Sequence, residues 1–393
     1  MKKIILFLFI SSTAYAERDW QFQHDVQLKN VYDDKNFKHA QDTGSWSQGI
    51  IYRGDLSKRW HNLQLSLLPS FQYAHRLGPS HNSSDGTYAF DSETQSQPQQ
   101  FHKQGLALKV GHLHHTLQYG EQWLNLPLIG VDATKQLLPT YQGLVYSYTP
   151  SKNAEFSLGY INRYNPKDEE DFKKLQVANQ QSDGLSYLNY RYKINPDAVV
   201  HVYNGYLDDL LNQFYVGVSH QQHISPNIDN TLSIKYFNNA AVGQEKLGNL
   251  AVDYYGVMDD FRFKKMSVAL GYQKIDGNQN FPLIMGIPAR YFIHWTQGMF
   301  NKQDEASYHL NLKYDLSAHV PGLELTYKYI YGDGFKTGNL SNSEQEQDVL
   351  LAYQVPQGRL KGLGFQALYI NYDTKIGRDY DEVRVSTKYQ FKF

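Results

Sequence analysis

Apolar and polar residues alternate along this chain, over runs longer than most soluble strands. In the final segment Val383, Val385, Thr387, Tyr389, Phe391 and Phe393 fall on one face, and Arg384, Ser386, Lys388, Gln390 and Lys392 on the other. Near the start Trp20, Phe22, Val26 and Leu28 oppose Gln21, Gln23, Asp25, Gln27 and Lys29, with His24 the one polar intruder. The pattern recurs in Tyr308, Leu310, Leu312 and Tyr314 against His309, Asn311, Lys313 and Asp315, and in Leu323, Leu325, Tyr327 and Tyr329 against Glu324, Thr326 and Lys328. Successive side chains of an extended strand point to opposite faces, so a period of two means strands with one apolar and one polar side. A soluble sandwich alternates too, but its strands usually run about five or six residues. Runs of roughly nine to eleven suit a strand tilted across a bilayer.

Breaks in the alternation divide the chain into about 18 segments, from 19–30 to 381–393, an even number as bacterial outer-membrane barrels have. Short turns such as Pro150-Ser151-Lys152-Asn153 and Asn195-Pro196-Asp197 exchange with long polar stretches at 76–99, 165–183 and 276–305. The expected fold is therefore all-β, a transmembrane antiparallel β-barrel with short periplasmic turns, long extracellular loops and both termini on the periplasmic side. Closure removes the sheet edges that lipid would leave unpaired.

A helical membrane protein is ruled out by run length, because a spanning helix needs about 20 successive apolar residues. The longest apolar run, Ile4 to Ile10, follows Lys2-Lys3 and precedes Ala14-Tyr15-Ala16. That is the order of a cleaved secretory leader at 1–16, leaving 17–393 as one barrel domain in the Gram-negative outer membrane. A mean hydropathy of −0.58 does not conflict with this, since half of each strand meets water. The 32 tyrosines and 20 phenylalanines then belong to aromatic girdles on the lipid face, with Tyr187, Tyr190, Tyr192, Tyr327, Tyr329 and Tyr331 as examples. The absence of cysteine excludes thiol chemistry and Cys-ligated metals, and 38 basic against 39 acidic residues give no basic excess for nucleic acid.

By parity the lumen receives Lys29, Lys109, Arg163, Arg191, Lys193, Lys235, Lys313, Lys328, Arg384 and Lys388, against the acids Asp25, Asp253, Asp315 and Glu324. Such a lining attracts anionic groups. The plainer alternative is a polar but unselective lumen, since any water-filled barrel has a polar interior.

Gly120-Glu121, Leu126-Pro127-Leu128 and Leu137-Leu138-Pro139-Thr140-Tyr141-Gln142-Gly143 follow one another at the third long connection. They resemble the inward-folded constriction loop of the OprD family of outer-membrane porins, the Occ substrate-specific channels. Tyr160-Ile161-Asn162-Arg163-Tyr164 with Asp171-Phe172, Gly271 to Asn278, Lys313 to Leu316 with Val320-Pro321-Gly322-Leu323, and Tyr329 to Asp333 are similar to the family in the same order. The resemblance implies an 18-stranded barrel, monomeric or loosely trimeric, narrowed by its third and seventh external loops. It implies passage of small anionic or zwitterionic solutes bearing a carboxylate, amino acids or aromatic and organic acids, along a basic ladder. Here that ladder would be Arg163, Arg191, Lys328, Arg384 and Lys388. The constriction loop at 121–140 would contribute Glu121, Asp132, Lys135 and Tyr141, and the long loop at 276–305 the eyelet residues Arg290, His294 and Met299. Met299 stands where basic-amino-acid channels of the family place an acid, which would deprive a cationic solute of one countercharge.

Other chemistry finds little support. His112, His114 and His115 are neighbours, but they fall at a tight turn without a further well-spaced ligand. His220, His223 and His294 stand alone. A barrel hydrolase would be the enzymatic rival, yet no Gly-x-Ser-x-Gly, His-Glu-x-x-His or glycine-rich phosphate loop occurs. The expectation is a passive channel with no catalytic residue, metal or cofactor, its partners being solute, lipid and, through terminal Phe393, the outer-membrane assembly machinery.

Overall fold

The computed structural model describes residues 20–284, 291–293 and 297–393, so the expected leader and the eyelet candidates Arg290 and His294 lie outside the described residues. The strands are β1 (Trp20–Phe37), β2 (Thr43–Trp60), β3 (Leu63–Arg76), β4 (Gln100–His112), β5 (His115–Gln122), β6 (Thr140–Ser151) and β7 (Ala154–Asn165). A two-residue hairpin, β8 (Gln176–Val177) and β9 (Gln180–Gln181), interrupts the following loop. Next come β10 (Leu185–Asn195), β11 (Ala198–Leu207), β12 (Leu211–Ser225), β13 (Ile228–Ala241), β14 (Ala251–Phe263) and β15 (Met266–Gly277). The last are β16 (Ala306–Asp315), β17 (Leu323–Thr337), β18 (Leu340–Gln354), β19 (Gly364–Thr374) and β20 (Tyr380–Lys392).

Apart from that hairpin, all strands form one 18-stranded antiparallel sheet. It closes on itself because β1 pairs with β20, from Asp25↔Lys392 to Phe37↔Tyr380. The seam is completed by backbone bonds between His24 and Phe393 in both directions, at 2.8 and 3.1 Å. Two-residue turns follow β2, β4, β6, β10, β12 and β14, whereas the long connections 77–99, 123–139, 166–184 and 278–305 gather at the other end. Leu106, Leu108, Leu144, Leu158, Leu188 and Leu270 point outward and are among the most exposed apolar residues, which only lipid contact can make favourable over a whole barrel wall.

The cross-strand register fixes every side chain to one face and moves three expected positions. Opposite Gln142 and Gly143 on β6, β7 carries one extra residue, with Arg163 paired to Gln142 and Ile161 to Gly143. Tyr164 and Ile161 both point inward and are buried, so the bulge puts Asn162 and Arg163 on the outer face. Arg163 is exposed there and does not line the lumen. Asp253 also faces outward, accepting from Tyr236 Oη and Asn238 Nδ2 at 2.8 and 2.9 Å. Tyr187 turns inward and is buried, unlike its neighbours Tyr190 and Tyr192.

One half of the lumen is filled by aromatic residues. Tyr141, Tyr164, Tyr187, Tyr203, Tyr215, Phe237 and Tyr254 from β6 to β14 form a single buried cluster with Phe281 and Phe292 of the seventh loop and Leu126, Leu128 and Ile129 of the third. Part of its packing is legible as Tyr-x-Gly. Tyr203 and Tyr215 each lie flat over the glycine two residues on, Gly205 and Gly217, where any Cβ would strike the ring. Charged groups concentrate on the remaining walls.

Candidate functional site

The third connection, 123–139, runs inside the barrel and is held there by lumenal side chains. Lys29 of β1 donates through Nζ to the carbonyls of Ala133, at 2.7 Å, and of Lys135. Lys103 of β4 donates to the carbonyl of Leu138 at 2.7 Å, and Gln72 of β3 exchanges two bonds with the Leu138 backbone at 2.8 and 3.0 Å. Tyr141 Oη caps the Gly130 carbonyl at 2.7 Å, and the Glu121 carboxylate accepts from Ser70 Oγ. A loop buried in a lumen must find partners for its backbone, and lysines reaching across from the wall supply them.

At the tip, Asp132 accepts the Thr134 amide at 2.9 Å and its hydroxyl at 2.7 Å, with Lys135 Nζ 4.0 Å away. Burial pushes the Asp132 carboxyl up, but Lys135 and the two Thr134 bonds outweigh it and hold the group below the usual carboxylate range. Burial, then Arg384, pulls the Lys135 ammonium down against the opposing pull of Asp132.

The wall beside this tip joins β1 to β20. Lys29 pairs in register with Lys388, and Asp33 with Arg384. Arg384 donates from Nε to Asp33 at 2.7 Å and from a terminal nitrogen to Glu382, which also meets Lys35 at 2.9 Å. Lys29, Lys35, Lys135, Arg384 and Lys388 thus crowd around Asp33, Asp132 and Glu382. Arg384 faces the lumen as expected, but its charge is answered on the spot. Lys388, by contrast, is exposed at the turn end, where with Lys392, Glu324 and Gln390 it lines a cavity of about 720 Å³.

On the other walls, Arg191 faces inward, paired in register with Glu155 and His201 and exposed. Lys328 faces inward with Nζ 4.0 Å from Asp348. Lys235 spends its ammonium on the Phe292 carbonyl at 2.9 Å.

The acids were the part the alternation left hidden. Glu344, Glu346 and Asp348 of β18 all point inward and are almost fully buried, next to Glu382 of β20 and Glu305 at the end of the seventh loop. Glu346 takes the backbone N–H of Gln297 at 2.9 Å and that of Gly298. A buried carboxyl group on the wall therefore holds the backbone beside Met299.

Residues 21–393 match the family described as outer membrane porin, OprD family. The solved structure of Acinetobacter baumannii OccAB4 is 35% identical, with 95% of this chain and 98% of that one covered and a TM-score of 0.89. Pseudomonas aeruginosa OpdK, solved with vanillate, is 21% identical over 95% and 99% of the two chains, with a TM-score of 0.89. Acinetobacter baumannii OccAB3 is 20% identical over 95% and 99%, with a TM-score of 0.90. No curated protein sequence matches it significantly.

Proposed function

Because the chain belongs to the OprD family of outer membrane porins, we propose that it carries small carboxylate-bearing solutes by passive diffusion through a pore with a basic wall, narrowed by the inward-folded loop at 121–140. The observation that carries this reading is the basic lining at the β1–β20 seam, where exposed Lys388 pairs in register with Lys29 and shares its cavity with Lys392. A carboxylate leaving the Lys135 tip meets Lys388 and Lys392 in the turn-end cavity, each solvated enough to release it. OpdK was solved with vanillate, an aromatic carboxylate, which is in keeping with this chemistry. The solutes proposed are amino acids or aromatic and organic acids, each bearing a carboxylate. Insertion by the outer-membrane machinery through Phe393, and a monomeric or loosely trimeric state, belong to the same proposal.

Liposome swelling with arabinose, arginine, glutamate and benzoate tests it. Faster entry of the carboxylate-bearing solutes than of arabinose is the expected result. Equal rates for all four would mean a general porin, and turnover of a lipid or peptide substrate by the refolded protein would revive the hydrolase.

A further inference from the structure

We propose that carboxylates on β18 clamp the inner end of the seventh loop, and that a proton shared by Glu305 and Glu344 locks the clamp and thereby sets the aperture. The segment 297–305 is docked at both ends. Glu346 holds the amides of Gln297 and Gly298. In the middle, Gln273 donates to the Phe300 carbonyl at 2.9 Å, and Asn301 exchanges bonds with the Phe281 backbone at 2.8 and 3.1 Å. At the far end Glu305 Oε2 accepts the Lys302 amide at 2.9 Å, and its Oε1 rests against Gly332, which leaves room because it has no Cβ. Phe300 and Asp304 have φ of 44° and 61°, a conformation non-glycine residues keep only when their surroundings impose it. The wall contacts are what impose it.

The proton enters through two orphaned atoms. Glu305 Oε1 and Glu344 Oε1 are both buried without a hydrogen-bond partner, although the two carboxyl groups are close enough to bond each other. Two carboxylates cannot do so, whereas one proton between them satisfies both. The surroundings do not provide a substitute. Tyr372 of β19 donates to the other oxygen of Glu344. Glu346 and Asp348 on β18 and Glu382 on β20 are further buried carboxyl groups, with Lys328 and Lys35 facing Asp348 and Glu382. Tyr380 of β20 and His309 of β16 complete the enclosure, and Lys302 is a cation acting on Glu305 itself. Burial, and after it Glu344, pushes Glu305 up to about 9.

The sign follows from linkage. In a released segment Glu305 would titrate near its ordinary 4.5, so between there and about 9 the clamped state keeps a proton that the released state has shed. The clamp is strongest in acid and weakens as pH rises through that window, its ratio of clamped to released falling by up to about tenfold per pH unit. Ionic current reads the aperture directly, so the inference does not depend on which solute the pore favours.

Single-channel recording of the whole protein from pH 5 to 9 tests it, with heat-modifiable gel mobility confirming that each variant forms a closed barrel. Wild-type conductance is expected to rise with pH. Glu305→Gln and Glu344→Gln should each hold it at the acid value across the range, and the double variant should add nothing. Glu346→Ala should raise conductance at every pH, and Glu346→Gln, which keeps one acceptor oxygen, should raise it less. A wild type indifferent to pH, a slope that survives Glu305→Gln, or wild-type conductance in both Glu346 variants overturns the proposal.

Discussion

Arg384 donates from Nε to Asp33 Oδ2 at 2.7 Å across the seam where the last strand meets the first, with Glu382 on its other arm and both acids fully enclosed. A guanidinium bound in this way closes the barrel before it can serve a passing solute. Arg384→Ala leaves Asp33 buried without its cation and Glu382 with Lys35 alone, and breaking a buried pair from one side costs about 3–5 kcal/mol. The variant barrel is expected to unfold at distinctly lower urea concentration, followed by the gel shift of the closed form. Adding Asp33→Asn should restore part of the loss. A midpoint unchanged in Arg384→Ala would show that the seam does not rely on this pair.

Because the chain has no cysteine, single substitutions report on one position at a time. The bulge places Arg163 outside and regular pairing places Arg191 inside. A charged thiol reagent applied to Arg191→Cys should cut the single-channel current, and the same reagent on Arg163→Cys should leave it unaltered. Block at Arg163→Cys would mean that the bulge does not turn the side chain out.

How much of this was readable beforehand differs by region, and the reasons are physical. Where strands cross lipid, one face must be apolar, so the strands and the inward parity of Lys29, Arg191, Lys328, Arg384 and Lys388 could be read directly from alternation. The bulge at Asn162 and Arg163 leaves no such trace, since neither Gly nor Pro marks it and it sits at the loop end. The segment Asn342 to Asp348 was opaque for a related cause. Its outward residues Ser343, Gln345 and Gln347 are polar, as above a lipid band both faces meet water, so the acids between them had no apolar partner to reveal their side. Tyr187 misled in the opposite sense: an aromatic residue counts as lipid-facing by period, but here the lumen has an aromatic filling of its own, signalled by Tyr-x-Gly at Tyr203 and Tyr215 but not at Tyr187, which Asn189 follows.

Lys29 is a wall residue whose ammonium is spent on the carbonyls of Ala133 and Lys135. Lys29→Met keeps most of the volume and removes the donor, leaving buried carbonyls unpaired at about 1–3 kcal/mol each. The loop tip should detach and conductance should increase, with the barrel still forming because Lys103 and Gln72 hold the other end at Leu138. Unchanged conductance would show that the tip does not narrow the pore.

Lys135 and Asp132 give the pore a charge that is lost at lower pH than that of an ordinary lysine. Burial and Arg384 pull the Lys135 ammonium down, while Asp132 pushes it back up. A lysine so placed loses its charge before the usual range near 10.5 is reached, so anion preference should decline as pH rises toward it. Asp132→Asn removes the group that raises Lys135 and should move that decline to lower pH, whereas Lys135→Met should abolish it. The reversal potential across a potassium chloride gradient between pH 6 and 10 measures this apart from any change in aperture, which alters conductance rather than ion preference. A decline that stays in place in Asp132→Asn, or that persists in Lys135→Met, would assign it to another lumenal cation, with Lys29 as the next to substitute.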